Sequence, residues 1–165
     1  MAVFHATMFY NPFLVSLLLL VLFLPNLHIT DAQVGVCYGG LGNNLPSDQE
    51  VVNLYKSNSI RRMRSYYPVP QALQALRGSN IELILDVPNN DLERLANDAP
   101  AAAKWVQDNV LNYYPDVKFR IISVGNEVNP NGARLAPFVL LAMSKIYDAI
   151  ASAGWKDQIK VLYLI

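Results

Sequence analysis

The residues best suited to chemistry stand together in the run Gly125-Asn126-Glu127-Val128, directly after the apolar segment Phe119-Arg120-Ile121-Ile122-Ser123-Val124. A carboxyl at the lip of such a segment, partly withdrawn from water, can have its pKa raised enough to donate a proton near neutral pH. Glu127 is therefore the leading general-acid candidate. The carboxamide of Asn126 could hydrogen-bond a hydroxyl beside the bond being broken, a contact that gains strength in the transition state. Three residues carry little weight alone, because Asn-Glu also serves as an ordinary turn after a strand. The other glutamates, Glu50, Glu82 and Glu93, fall on a helix, a strand start and a helix. Asp86 lies near the end of a strand, where a loop hydrogen bond is its expected job. Arg61, Arg62 and Arg64 read as partners for acidic groups around a strand rather than as a basic motif.

Positioning these groups requires a scaffold, and the chain alternates short β-rich runs with helical segments. The first run, QVGVCYG, ends in the glycine-rich stretch Gly39 to Asn44. Ser47 and Glu50 form a capping box, so a helix starts there with Val51, Leu54 and Tyr55 on one face. Ile60 to Tyr66 is the second strand, stopped by Pro68 and Pro70, which cannot donate to a ladder. QALQALRG is a short helix ending at Gly78. Ile81 to Val87 is the third strand, with Pro88 as its stop. Asp91 to Asn97 and Pro100 to Tyr114 read as helical, the second with proline in its first turn, where no N–H is missed. Lys118 to Val124 is the fourth strand, Ala133 to Ala153 a long helix closed by Gly154, and Ile159 to Leu164 the fifth strand.

A strand–helix period of about thirty residues is that of βαβ units around a parallel sheet. Closed eight-fold barrels and open doubly wound sheets share it. Gly39-Gly40-Leu41-Gly42 lacks the spacing of the phosphate-binding fingerprint that follows the first strand of the open class. The barrel is favoured, with catalytic residues expected at the carboxyl ends of its strands and apolar side chains on both strand faces.

Composition narrows the function classes. Thirteen basic residues balance thirteen acidic ones among 165, so no global field would gather nucleic acid or anionic lipid. Phe13 to Leu24 reads FLVSLLLLVLFL, followed by Pro25 and a polar stretch ending in Thr30-Asp31-Ala32. Residues 1–32 are thus expected to be a secretory signal cut after Ala32, the apolar run being shorter than the ~20 residues of a spanning helix. Residues 33–165 form the expected catalytic domain. The single cysteine, Cys37, is expected as a buried, inert thiol, and no Asn-x-Ser/Thr acceptor occurs. His5 and His28 lie in or beside the signal, so no metal cluster and no cofactor are expected. Trp105 and Trp155 fit helix packing.

The runs VGVCYGGLGNNLPSDQEVVNLYKSNSIRRMRSYYP, LQALRGSNIELILDVPN, KFRIISVGNEVNP and FVLLAMSKIYDAIASAGWKDQIKV closely resemble glycoside hydrolase family 17, the plant endo-1,3-β-glucanases, in the family's own order. The resemblance implies a (β/α)8 barrel of the TIM type with a groove for β-1,3-glucan and a retaining two-carboxylate mechanism. Glu127 then matches the proton donor, Asn126 its polar neighbour, and Tyr38 and Tyr66 the aromatic residues lining the cleft. It further implies a secreted, apoplastic or vacuolar protein, acting as a monomer in complete form, with no nucleic-acid or membrane partner after signal cleavage.

Departures accompany the matches. Ser65-Tyr66-Tyr67-Pro68 stands where the family has Leu-Tyr-Asp-Pro, and Leu162-Tyr163-Leu164-Ile165 where it has small polar residues. The second carboxylate, which the family supplies from its seventh strand, has no counterpart in this sequence, and Gln33 to Ile165 is about half the ~250 residues of a closed barrel. The expectation is an incomplete barrel of four to five βα units in a truncated or aberrantly spliced product. Alternatives are a catalytically inactive fragment or glucan-binding relic and, within the enzyme class, a 1,3;1,4-β-glucanase.

Overall fold

The computed structural model describes Asn11, residues 34–129 and residues 134–164. The chain divides into two units, Met1–Ala32 and Gln33–Ile165, and every element below belongs to the second. The signal expected over residues 1–32 lies outside the described residues, Asn11 apart. No helix among the described residues is long and apolar enough to cross a membrane.

Five strands form the sheet: β1 (Val36–Tyr38), β2 (Arg62–Ser65), β3 (Glu82–Val87), β4 (Lys118–Asn126) and β5 (Lys160–Leu164). All neighbours are parallel, and the spatial order is the chain order. A doubly wound sheet would reverse its order at a switch point. An unreversed parallel series with helical crossovers is instead an arc of an α/β barrel, as expected.

The helices are α1 (Asp48–Ser57), α2 (Pro70–Leu76), α3 (Leu92–Asn97), α4 (Ala99–Val106) and α5 (Ala136–Ser152). Their starts follow local chemistry. At α1 the Ser47 hydroxyl accepts from the Glu50 N–H at 3.3 Å while the Glu50 carboxylate accepts from the Ser47 N–H at 2.8 Å, so the capping box is complete. Asp98 caps α4 by accepting from the Ala101 N–H at 3.1 Å, with Pro100 in the first turn. α2 ends at Leu76, and Gly78 beyond it takes a left-handed φ of 64°, which glycine adopts without steric cost. The helix expected to run to Tyr114 stays α-helical only to Val106 and then widens into a π-helical turn, Gln107–Leu111. There Asn109 Nδ2 donates to the Trp105 carbonyl at 2.8 Å, competing with the regular ladder.

The core lies between sheet and helices. The cross-strand rows Met63-Leu83-Phe119 and Ser65-Leu85-Ile122 are buried against Leu73, Leu76, Leu92, Leu95, Ile146 and Ile150. Trp105 is buried in this core, and the Trp155 ring packs 4.4 Å from that of Tyr114.

The opposite sheet face departs from expectation. Its row Cys37-Arg64-Ile84-Ile121-Lys160 is half-buried or exposed along its length, so among the described residues one face is covered and the other open. Cys37 is accordingly exposed rather than buried. The open face is also more polar than expected: Arg62 pairs with Glu82 at 3.0 Å, Arg120 with Glu82 at 3.3 Å and Arg64 with Asp86 at 2.6 Å. In α1 the buried residues are Val51 and Val52, whereas Leu54 is 56% exposed; among the described residues α1 is the first helix of the arc, and it packs against α2.

Candidate active site

Asn126 ends β4, and Glu127 follows it at the carboxyl rim of the sheet. The backbone bends sharply there. Gly125 has φ 84° and Glu127 φ 49°, both in the left-handed region. For glutamate that conformation costs about 1–2 kcal/mol, because Cβ crowds the carbonyl oxygen. A Cβ at Gly125 would lie 3.3 Å from Leu92 Cδ1 and 3.4 Å from both Asn89 Oδ1 and Val128 Cγ2, a close fit, so it is the left-handed backbone that chiefly disfavours a side chain there.

Side chains from β2 and β3 converge on this bend. Arg64 donates from Nη2 to Asp86 Oδ2 at 2.6 Å and from Nε to both Asp86 oxygens at 3.2 and 3.1 Å. The same Nη2 donates to Asn126 Oδ1 at 2.9 Å. Because a guanidinium only donates, this bond also fixes which end of the Asn126 amide is oxygen. Asp86 is fully buried, and burial holds its carboxyl above the usual range even though Arg64 pulls it down. In return, the hydrogen bond that Arg64 donates to Asp86 raises the Arg64 pKa against its own desolvation. For Asp86 the burial effect governs the direction, since none of its side chain reaches water while a fifth of Arg64 does.

Asn89, in the 3-10 turn Asn89–Asp91 beyond β3, grips the Asn126 backbone twice. The Asn126 N–H donates to Asn89 Oδ1 at 2.8 Å, and Asn89 Nδ2 donates to the Asn126 carbonyl at 2.9 Å. On the far side of Glu127, Tyr163 of β5 donates its hydroxyl to the Val128 carbonyl at 2.7 Å. Glu127 is thus tethered through the backbone on either side while its own side chain is exposed. The partial desolvation expected for it is not supplied by the described residues.

The two tyrosines take different positions. Tyr66 is half-buried beneath Arg64, whose guanidinium carbon lies 4.9 Å from its ring centroid. A hydrogen bond with the Cys37 thiol pushes the Tyr66 hydroxyl up from its ordinary value. Tyr38 packs against the core, and its hydroxyl donates to Asp48 at the start of α1. Burial first, then Asp48, push its pKa up to about 12. The geometry therefore links Asn126, Arg64, Asp86 and Tyr66 through their side chains, with Glu127 next along the backbone, and ties Tyr38 to Asp48.

Sequence reasoning passed over Asn89, for which the available signal was its place one residue after the strand-ending Pro88. A cavity of about 300 Å³ opens at the amino ends of the strands, among Arg62, Glu82, Arg120, Asp157 and Lys160, at the opposite end from Glu127. Among the described residues no group of three His, Cys, Asp or Glu could hold a metal ion.

The model of Glycosyl hydrolases family 17 matches residues 34–164. The chain is 59% identical over 153 residues to a glucan endo-1,3-beta-glucosidase of Vitis vinifera, covering 92% of this chain and 44% of that protein. It is 57% identical over 151 residues to a glucan endo-1,3-beta-glucosidase of Pisum sativum, covering 90% and 41%. Among solved structures it superposes with a TM-score of 0.76 and 41% identity on CJP38, a beta-1,3-glucanase and allergen of Cryptomeria japonica pollen, over 79% of this chain and 42% of that one. One of two plant beta-glucan endohydrolases with distinct substrate specificities gives a TM-score of 0.74 at 42% identity, over 79% and 41%. The chain spans less than half the length of the curated relatives it matches.

Proposed function

Since the chain belongs to glycosyl hydrolase family 17, we propose that it carries the acid half of an endo-acting, retaining 1,3-β-glucan hydrolysis centre, with Glu127 as proton donor. The observation that supports this reading is the strained, doubly tethered Glu127 at the carboxyl rim of a parallel sheet, where barrel enzymes place their catalytic groups. Glu127 protonates the departing glycosidic oxygen and, as a carboxylate, then takes the proton of the incoming water. Asn126 has Oδ1 engaged by Arg64, so Nδ2 is what it offers a sugar hydroxyl. The Tyr66 ring serves as an apolar surface for a sugar face, and Tyr38 supports the cleft floor through Asp48.

Retention requires a second carboxylate ~5 to 5.5 Å from the acid. Both Asp86 oxygens accept from Arg64, which leaves that carboxylate poorly suited to attack. The nucleophile is therefore assigned to a residue outside the described ones. The export signal read from the sequence over residues 1–32 supports an apoplastic or vacuolar setting for this chemistry.

The exposure of Glu127 favours a second reading, glucan binding without turnover. Laminarin hydrolysis by this chain completed with the remaining part of the Vitis vinifera relative, of which it spans 44%, separates the two. Release of reducing ends, lowered about 10²–10⁴-fold in Glu127→Gln, supports the acid assignment. Retained laminarin binding with no hydrolysis supports the binding reading. Hydrolysis unchanged in Glu127→Gln would sink the assignment. Mixed-linkage 1,3;1,4-β-glucan run in parallel distinguishes the specificities.

A further inference from the structure

We propose that Asn89 is a positioning residue for Glu127, its carboxamide standing in for a strand peptide that Pro88 cannot provide. This rests on the assignment of Glu127 as proton donor.

The β3–β4 ladder pairs Val87 with Val124, the last register before the bend. Continuing it requires β3 to offer a donor and an acceptor beyond Val87. Pro88 has no N–H, and its carbonyl is turned to the Asp91 N–H at 3.0 Å, so the strand backbone supplies neither. Asn89 supplies both functions from its side chain: Oδ1 accepts from the Asn126 N–H at 2.8 Å, and Nδ2 donates to the Asn126 carbonyl at 2.9 Å. A primary carboxamide has the same donor–acceptor pair as a peptide unit, and asparagine is the shortest side chain that carries it.

The consequence falls on Glu127. The Asn126 carbonyl belongs to the peptide unit that continues into the Glu127 nitrogen. Holding that carbonyl therefore orients the plane from which the Glu127 φ of 49° is measured. Asn89 Oδ1 lies within contact distance of Gly125, 3.4 Å from where a Cβ would stand, and the left-handed φ of 84° there is one that side-chain-bearing residues rarely adopt. Gly125, Asn89 and Glu127 thus act together: a bare backbone, a clamp drawn against it, and a strained residue held beyond it. Arg64 grips the Asn126 side chain and Tyr163 the Val128 carbonyl, but neither contacts the peptide joining Asn126 to Glu127.

The test is amide hydrogen exchange and the HN–Hα coupling of Glu127, measured by NMR on the purified chain, with Leu85 and Ile122 as core references. In Asn89→Ala, exchange at Asn126 is expected to accelerate about 10-fold or more while the core references stay within about 2-fold, and the Glu127 coupling moves toward a conformational average. Asn89→Asp, nearly isosteric and the variant to use should the alanine form not fold, keeps the acceptor and loses the donor. It is expected to preserve protection at Asn126 while still changing the Glu127 coupling.

Unchanged exchange at Asn126 and unchanged coupling at Glu127 would overturn the proposal. Equal acceleration at Leu85 and Ile122 would also overturn it, because it would mark a general stability role. In laminarin turnover by the completed chain described above, the expected signature of Asn89→Ala is a kcat lowered about 10–10²-fold at constant KM, and a raised KM at constant kcat counts against positioning. Absence of turnover in the completed chain would speak against the glucanase reading, whereas the exchange and coupling result on the chain itself decides the clamp.

Discussion

Replacing Arg64 by methionine would leave Asp86 buried without a counter-charge. The carboxylate has no exposed side-chain surface and takes three hydrogen bonds from Arg64, at 2.6, 3.1 and 3.2 Å. Removing one partner of such a pair typically costs about 3–5 kcal/mol, because the remaining charge keeps its desolvation penalty and loses its compensation. Arg64 is itself 20% exposed, so water entering its place relieves part of the loss and the expected figure is the lower end, about 3 kcal/mol. With a urea m-value of about 1.5 kcal/mol/M the unfolding midpoint falls by about 2 M. The assay is equilibrium urea unfolding at neutral pH, followed by circular dichroism. Arg64→Met/Asp86→Leu supplies the control. With both charges gone and apolar volume retained, the double variant should recover most of the loss. A single variant within about 0.5 kcal/mol of wild type, or a double variant no better than the single, would refute the view that Asp86 is a buried charge neutralised by Arg64.

Two carboxyls should titrate in opposite directions. Ser47 holds Glu50 below its usual value through side chain and backbone, so Glu50 contributes stability above its unfolded pKa that is lost as pH falls through the folded one. Burial holds Asp86 above its usual value, so its contribution is present below the unfolded pKa and lost as pH rises through the folded one. Carboxyl carbon titration by NMR is expected to place the Asp86 midpoint above the ordinary aspartate value and the Glu50 midpoint below the ordinary glutamate value, and a shift of either in the other direction would contradict the burial or the capping described. Gly125→Ala should destabilise the chain by about 1–3 kcal/mol in thermal or urea unfolding, from an alanine forced into the left-handed region. Cys37, exposed on the open sheet face, is expected to react stoichiometrically with a maleimide under native conditions. Resistance until denaturant is added would show that face to be covered in solution.

Much of this architecture could be read from the chain because its determinants are local. The capping box of Ser47 and Glu50, proline in the first turn of α4 and the left-handed Gly78 all act within a few residues, and the structure realises each of them. Placing Glu127 at the carboxyl end of β4 needed only the boundary between an apolar run and Gly-Asn-Glu. Arg62 and Arg64 do pair with strand acids, as their charge and setting indicated.

What escaped the sequence depends on which groups meet across the fold. Asp86 was expected in a loop hydrogen bond but lies buried beneath Arg64, 22 residues away in sequence and one strand away in space. Cys37 was expected buried, because an apolar strand context does not reveal which of two sheet faces the helices cover. The turn of Tyr38 toward Asp48 and the grip of Asn89 on Asn126, 37 positions on, leave no periodicity to detect. Local backbone preference and hydrophobic alternation determined the elements and their order. Only packing in three dimensions decided which polar side chains would share a rim, because hydrogen bonds form between groups brought close in space, whatever their separation along the chain.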